Sequence, residues 1–215
     1  MNDTELILRF ALVLPLLLVS FAVHELAHAY VATRLGDPTA REEGRLTLNP
    51  LRHLDLWGTV VLVITFVGSG GSFLFGWAKP VTTNPSYFRD PQRGMMLVGA
   101  AGPLANIAAA LVSAVLVWLT VGLSVFVAQA LALAYLLNVL LAVFNLLPIP
   151  PLDGSRIVGG VLPRSVYARW VALDRYGNYV FLALIGILLL APEVFEATIG
   201  AVLVWSFALL PGGGG

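Results

Sequence analysis

Residues 21–30 read F-A-V-H-E-L-A-H-A-Y, and the two histidines and one glutamate inside this otherwise apolar stretch decide how the rest of the chain is read. At 3.6 residues per turn, His24 and His28 stand four apart on one helix face with Glu25 beside them. H-E-x-x-H on a helix is the arrangement in which two imidazoles hold zinc and the carboxylate handles water. The approach to it, Ile7 to Val23, carries Arg9 as its single charge, which places the motif within a membrane span. Ionisable groups at that depth are expensive and usually functional; a helix that needed only filling would carry Leu or Ala there.

Composition supports that setting. The chain of 215 residues is 59% hydrophobic and 11% charged, whereas a soluble globular domain carries roughly 25% charged residues. A polytopic membrane protein is the expected class, with the lipid bilayer as its first partner. Lys and Arg together number 12, as do Asp and Glu, and there is no basic run, so no nucleic acid partner is expected. Cysteine is absent, which excludes disulfides and a thiolate metal site and leaves His, Asp and Glu as ligands. Asp3 and Glu5 stand where a leader would carry basic residues, so the first apolar stretch is expected to be retained.

Residues 5–33 are long enough for a first span. A polar loop follows, from Leu35 to Trp57, containing His53. The stretch Gly58 to Ala78 is apolar but broken by G-S-G-G-S. Its β-branched first half, glycine turn and aromatic second half predict a re-entrant hairpin of two short strands dipping into the membrane, with an edge to which an extended peptide could add. A second helix is predicted from about Gly94 to Thr120, containing G-P-L-A-N at 102–106, and a third from about Ser124 to Leu147. Asn138 and Asn145 lie seven apart on that third helix, so both are expected to face protein. Two short apolar pieces, Tyr179 to Ala191 and Ala197 to Leu210, read as a C-terminal helical hairpin within 177–210. The expected fold is therefore one all-α polytopic domain over 1–215, with its core at 5–160 and about five transmembrane helices plus the re-entrant 58–78 segment. With re-entry, all but Arg9 of the 12 Lys and Arg residues fall on one side, which the positive-inside rule makes cytoplasmic.

A catalytic zinc takes three protein ligands and keeps a position open. Asp153 is the best third candidate. Pro148, Pro150 and Pro151 end the preceding helix and are expected to leave Asp153 on extended backbone, and Gly154 permits a sharp turn or close approach. His53, in its polar loop, is read either as a hydrogen-bonded side chain or as a residue that supports or gates the metal site.

H-E-L-A-H on one helix, G-P-L-A-N on another and N-L-L-P-I-P-P-L-D-G on a third together resemble the site-2 protease family of intramembrane zinc metalloproteases, peptidase family M50. The resemblance covers about residues 15–160. N-P-L-R-H-L-D and F-G-W-A-K-P also match its small prokaryotic branch, without PDZ or CBS domains. It implies one Zn²⁺ per chain held by His24, His28 and Asp153, Glu25 as catalytic base, and a membrane-inserted β segment at Gly58 to Ala78. Asn106, and Asn145 with it, would orient the substrate backbone or stabilise the oxyanion. The function expected is hydrolysis of a peptide bond in or near a membrane-spanning segment of a protein substrate, in a prokaryotic inner membrane with the site toward the cytoplasm. The competing class is a zinc-binding membrane protein that cuts nothing, either a carrier or a silent interaction partner. A carrier would need a polar route to the opposite face, which the apolar runs Ile7 to Pro15 and Ala108 to Trp118 do not supply.

Overall fold

Backbone polar groups in lipid must be satisfied internally, and a helix does this within a single segment. The computed structural model, which describes residues 3–71, 75–190, 200, 206 and 208–211, is accordingly helical. Its α-helices are α1 (Asp3–Arg34), α2 (Thr39–Glu42), α3 (Leu56–Gly68), α4 (Pro91–Thr120), α5 (Val125–Asn145), α6 (Asp153–Val161), α7 (Arg164–Val171) and α8 (Gly177–Leu190). Among the described residues three helices, α1, α4 and α5, are long and apolar enough to cross a membrane, which marks a membrane protein. Helix α3, at 13 residues, extends only about 20 Å, short of the hydrocarbon core, and α8 runs up to Leu190, where the described stretch ends.

Helix α4 is the centre of the molecule and packs against α1, α5 and α6. It runs antiparallel to α1, because His24 meets Asn106 whereas Ala32, two turns further along, packs with Val98. Small residues let the helices close up. A Cβ on Gly99 of α4 would stand 2.8 Å from the Arg156 Cβ of α6, so glycine here sets the distance at which α6 docks.

The predicted two-stranded hairpin is corrected over its first half. Leu56–Gly68 is an α-helix, not a strand. The Asp55 side chain caps it, accepting from the Gly58 N–H at 2.8 Å, and the helix satisfies its own backbone where a two-stranded ribbon would leave open edges among apolar side chains. β-branched content loses to that requirement. The glycine turn is present: Gly70 and Gly71 adopt φ of 63° and 82°, a left-handed conformation that suits glycine. The chain then returns without helix along α3, and Leu54 and Ala78 close the excursion through one antiparallel bridge. Gly58 and Gly76 make the contact close, since a Cβ on Gly58 would lie 2.1 Å from the Trp77 carbonyl oxygen and one on Gly76 2.7 Å from that of Gly58.

Of the expected C-terminal hairpin, the first piece is helix α8 and most of the second lies outside the described residues. Gly177 begins α8 beside Pro151, whereas Ser206 accepts through its carbonyl from the Tyr135 hydroxyl and Leu209 through its carbonyl from Trp118, on α5 and near the last turn of α4. Segment 177–210 thus starts at the end of the bundle near Asp153 and finishes toward the α4–α5 connection.

Candidate metal centre

The i, i+4 spacing on α1 brings the two imidazoles together, and α6 delivers the carboxylate from more than a hundred positions away. His24 Nε2 and His28 Nε2 are 3.0 Å apart, and each is 3.1 Å from Asp153 Oδ2. All three side chains are buried, and among the described residues they form the one group of His, Asp and Glu whose ligand atoms converge in this way. Asp153 occupies the first helical position of α6, not the extended backbone expected of it. Close approach, not a turn, explains the glycine that follows: a Cβ on Gly154 would lie 2.2 Å from the Leu146 carbonyl oxygen.

Their other ring atoms fix which tautomer each histidine adopts. His24 Nδ1 donates to Asn106 Oδ1 at 2.6 Å and His28 Nδ1 donates to the Val98 carbonyl at 2.7 Å. With the protons on Nδ1, both Nε2 lone pairs face the Asp153 oxygen. Three lone-pair atoms at this separation repel one another unless a cation stands among them. Ligand atoms on a tetrahedral zinc stand about 3.3 Å apart, close to the spacing seen. Gly102 leaves the space, since a Cβ there would come within 2.4 Å of His28 Nε2 and 2.6 Å of His24 Nε2.

Glu25 is buried and outside the converging group. Its Oε2 accepts from the backbone N–H of Val81 at 3.1 Å, so the chain returning from the α3 excursion reaches the carboxylate. Asn106 is placed differently from the substrate-facing expectation. Its carbonyl serves His24, and its amide donates to Asn138 Oδ1 at 2.8 Å and to the Ser20 carbonyl at 3.2 Å, which leaves no amide proton for an oxyanion. Asn145 lies outside the cluster and donates to the Leu141 carbonyl of its own helix. His53 is buried, donates from Nε2 to the Thr47 carbonyl at 2.9 Å and does not join the converging group; its Nδ1 has no hydrogen-bond partner among the described residues.

Three supporting residues, Asn138, Ser20 and Val81, are not marked as part of the site by the sequence. Asn138 also donates to Ser20 Oγ at 2.9 Å, completing a chain Ser20, Asn138, Asn106, His24 across α1, α4 and α5. The signal for Asn138 was its position in the middle of an apolar helix, where an amide needs partners. Val81 acts through its backbone and leaves no such signal.

Residues 123–190 match the model of peptidase family M50. Two proteins bearing the name "Putative zinc metalloprotease" align along most of the chain. YwhC of Bacillus subtilis (strain 168) is 39% identical over 197 residues, covering 88% of this chain and 82% of the relative. Rip2 of Mycobacterium tuberculosis (strain ATCC 25618 / H37Rv) is 35% identical over 202 residues, covering 93% of this chain and 74% of the relative. No solved structure gives a significant match. The chain belongs to peptidase family M50, the site-2 protease family that its motifs resemble, and is a metalloprotease by that membership.

Proposed function

We propose that this protein is an intramembrane zinc metalloprotease that hydrolyses a peptide bond in or near a membrane-spanning segment of another protein. The observation that carries the reading is the convergence of three lone-pair atoms, two of them on a helix long enough to cross a bilayer that also carries a separate buried glutamate. The M50 membership and the names of YwhC and Rip2 support zinc as the ion. His24, His28 and Asp153 are its ligands. When held there, zinc supplies Lewis acidity toward a carbonyl oxygen and toward water.

The chain's own residues supply the rest. Glu25 takes a proton from the attacking water and passes it to the leaving amine. The Val81 N–H holds one carboxylate oxygen, so that the other faces the water. Asn106 orients His24 and does not contact substrate. The excursion 54–78 enters the membrane and leaves on the same side, and the basic loops place the site toward the cytoplasmic face of an inner membrane, where water is available.

The test is zinc analysis of purified protein paired with cleavage of a membrane-spanning reporter in proteoliposomes. Wild type should carry one zinc per chain and cut the reporter, and Glu25→Gln should keep the zinc and lose roughly 10²–10⁴-fold in turnover. His24→Ala or Asp153→Ala should lose the metal itself. Stoichiometric zinc with no cleavage of any reporter would shift the assignment to a zinc-binding protein that cuts nothing.

A further inference from the structure

A partly enclosed cavity of about 110 Å³ lies between α1, α3 and the chain returning from α3. Leu14, Leu18 and Phe21 form its α1 wall, Leu62 its α3 wall, and Trp77 and Ala78 the returning wall. His53 also lines it, with its ring anchored to the Thr47 carbonyl.

Its position relative to Glu25 follows from helix geometry. Leu14, Leu18, Phe21 and Glu25 are spaced by four, three and four residues, so the cavity and the carboxylate share one face of α1. The next residue on that face, Ala29, packs against Val81, whose N–H bonds Glu25. The returning chain therefore tracks α1 in step. Ala78 stands by the cavity and Val81 by Glu25, about 10 Å apart on extended backbone against about 11 Å along the helix. Phe21 is four residues, or about 6 Å of helix, from Glu25. A side chain bonded next to a peptide link at Glu25 can reach into that space.

We propose that this cavity is a side-chain subsite that takes one aliphatic residue of the substrate, of the size of Val, Leu or Ile, adjacent to the bond that is cut. The inference rests on the proteolytic reading above and deepens it by naming a substrate preference. Size decides the class. An apolar cavity of roughly 150 Å³ accommodates benzene, so the smaller space here favours branched aliphatic side chains over Phe or Trp. Besides His53 the one polar lining residue is Thr59, whose hydroxyl donates to the Asp55 carbonyl, and a charged residue would be stranded among the remaining apolar walls.

Two measurements separate this inference from the activity itself. In the first, reporters varied residue by residue around the cleaved bond are cut by wild type, Leu18→Ala and Ala78→Leu. At one position wild type should prefer Leu over Trp by at least about 10-fold in kcat/KM. Leu18→Ala enlarges the cavity and should move the Phe-to-Leu ratio toward Phe by about 10-fold; Ala78→Leu fills it and should move preference toward Ala and Gly. Ratios that stay put in both variants at every position would overturn the subsite. In the second, full-length Glu25→Gln protein is photocrosslinked to a reporter carrying a diazirine leucine at that position. The crosslink should map to α1 between Leu14 and Phe21 or to Trp77 and Ala78. Crosslinks only elsewhere, or none, overturn the proposal whatever the enzyme does. Crosslinking in the cavity with no cleavage by wild type would instead overturn proteolysis and keep the subsite. Should Leu18→Ala fail to fold, the opposite shift in Ala78→Leu and the crosslink still decide.

Discussion

Two regions meet at Glu25 and are held together in different ways. The cluster on α1, α4, α5 and α6 is fixed by side chains: His24, Asn106, Asn138 and Ser20 bond in series, and Asp153 closes on both imidazoles. The excursion from Leu54 to Val81 is fixed mainly by backbone, through one bridge, two close-packed glycines and a single N–H on the glutamate. The first arrangement tolerates little displacement, since every member is buried and bonded to the next. The second has fewer buried side-chain bonds to hold it. The proposed metal binding therefore belongs to the first region, and the carboxylate and cavity proposed to handle water and substrate depend on the second.

The sharpest way to break that division is Gly102→Ala. A methyl group 2.4 Å from one ligand nitrogen and 2.6 Å from the other forces both rings off their positions. The expected loss of zinc affinity exceeds the roughly 10–100-fold that follows removal of a group supporting a ligand. Competition titration against a chelator of known affinity reads it directly. Zinc affinity equal to wild type would mean that the glycine face of α4 does not set the metal site.

The same division explains what could be read without the structure. His24, His28 and Glu25 were legible because charged and imidazole groups in an apolar helix have few uses, and the spacing of four fixes a shared face. Asp153 was legible as a residue but not in its local conformation, because the prolines before it announce a helix end and do not reveal that a new helix begins at once. The segment at 58–78 misled because Val, Ile and Thr favour strands on average, while an apolar surrounding rewards whichever form satisfies its own backbone. Asn145, seven residues and about two turns from Asn138, donates to the Leu141 carbonyl of its own helix, a local bond that spacing alone does not announce.

A change of intermediate size tests the point where the regions touch. Val81→Pro removes the N–H that Glu25 accepts, whereas Val81→Ala keeps it. A hydrogen bond to a charged group contributes about 1.5–3 kcal/mol, which corresponds to a drop in kcat of roughly 10–100-fold for the proline variant. Zinc content should stay at one per chain in both. The alanine variant should retain most of its turnover, and equal losses in the two would show that side-chain packing against Ala29 and Ala40, not the amide, is what Val81 provides.

The smallest effect is expected within the excursion itself, at Thr65. Its hydroxyl donates to the Phe75 carbonyl at 3.0 Å and accepts from the Phe75 N–H at 3.1 Å, tying α3 to the returning chain after the glycine turn. Thr65→Val keeps the shape and removes both bonds, at a net cost of about 1 kcal/mol for each. Because this tie lies far along the excursion from Val81, the cost should appear as faster amide hydrogen exchange at residues 75–81, with zinc content unchanged and kcat reduced by less than in Val81→Pro. A loss of zinc comparable to that of Gly102→Ala would contradict the division, since it would mean that the metal cluster depends on backbone contacts it does not touch. Unchanged exchange at 75–81 would show that the bridge at Leu54 and Ala78 and the packing of Gly58 on Trp77 hold the returning chain without the threonine.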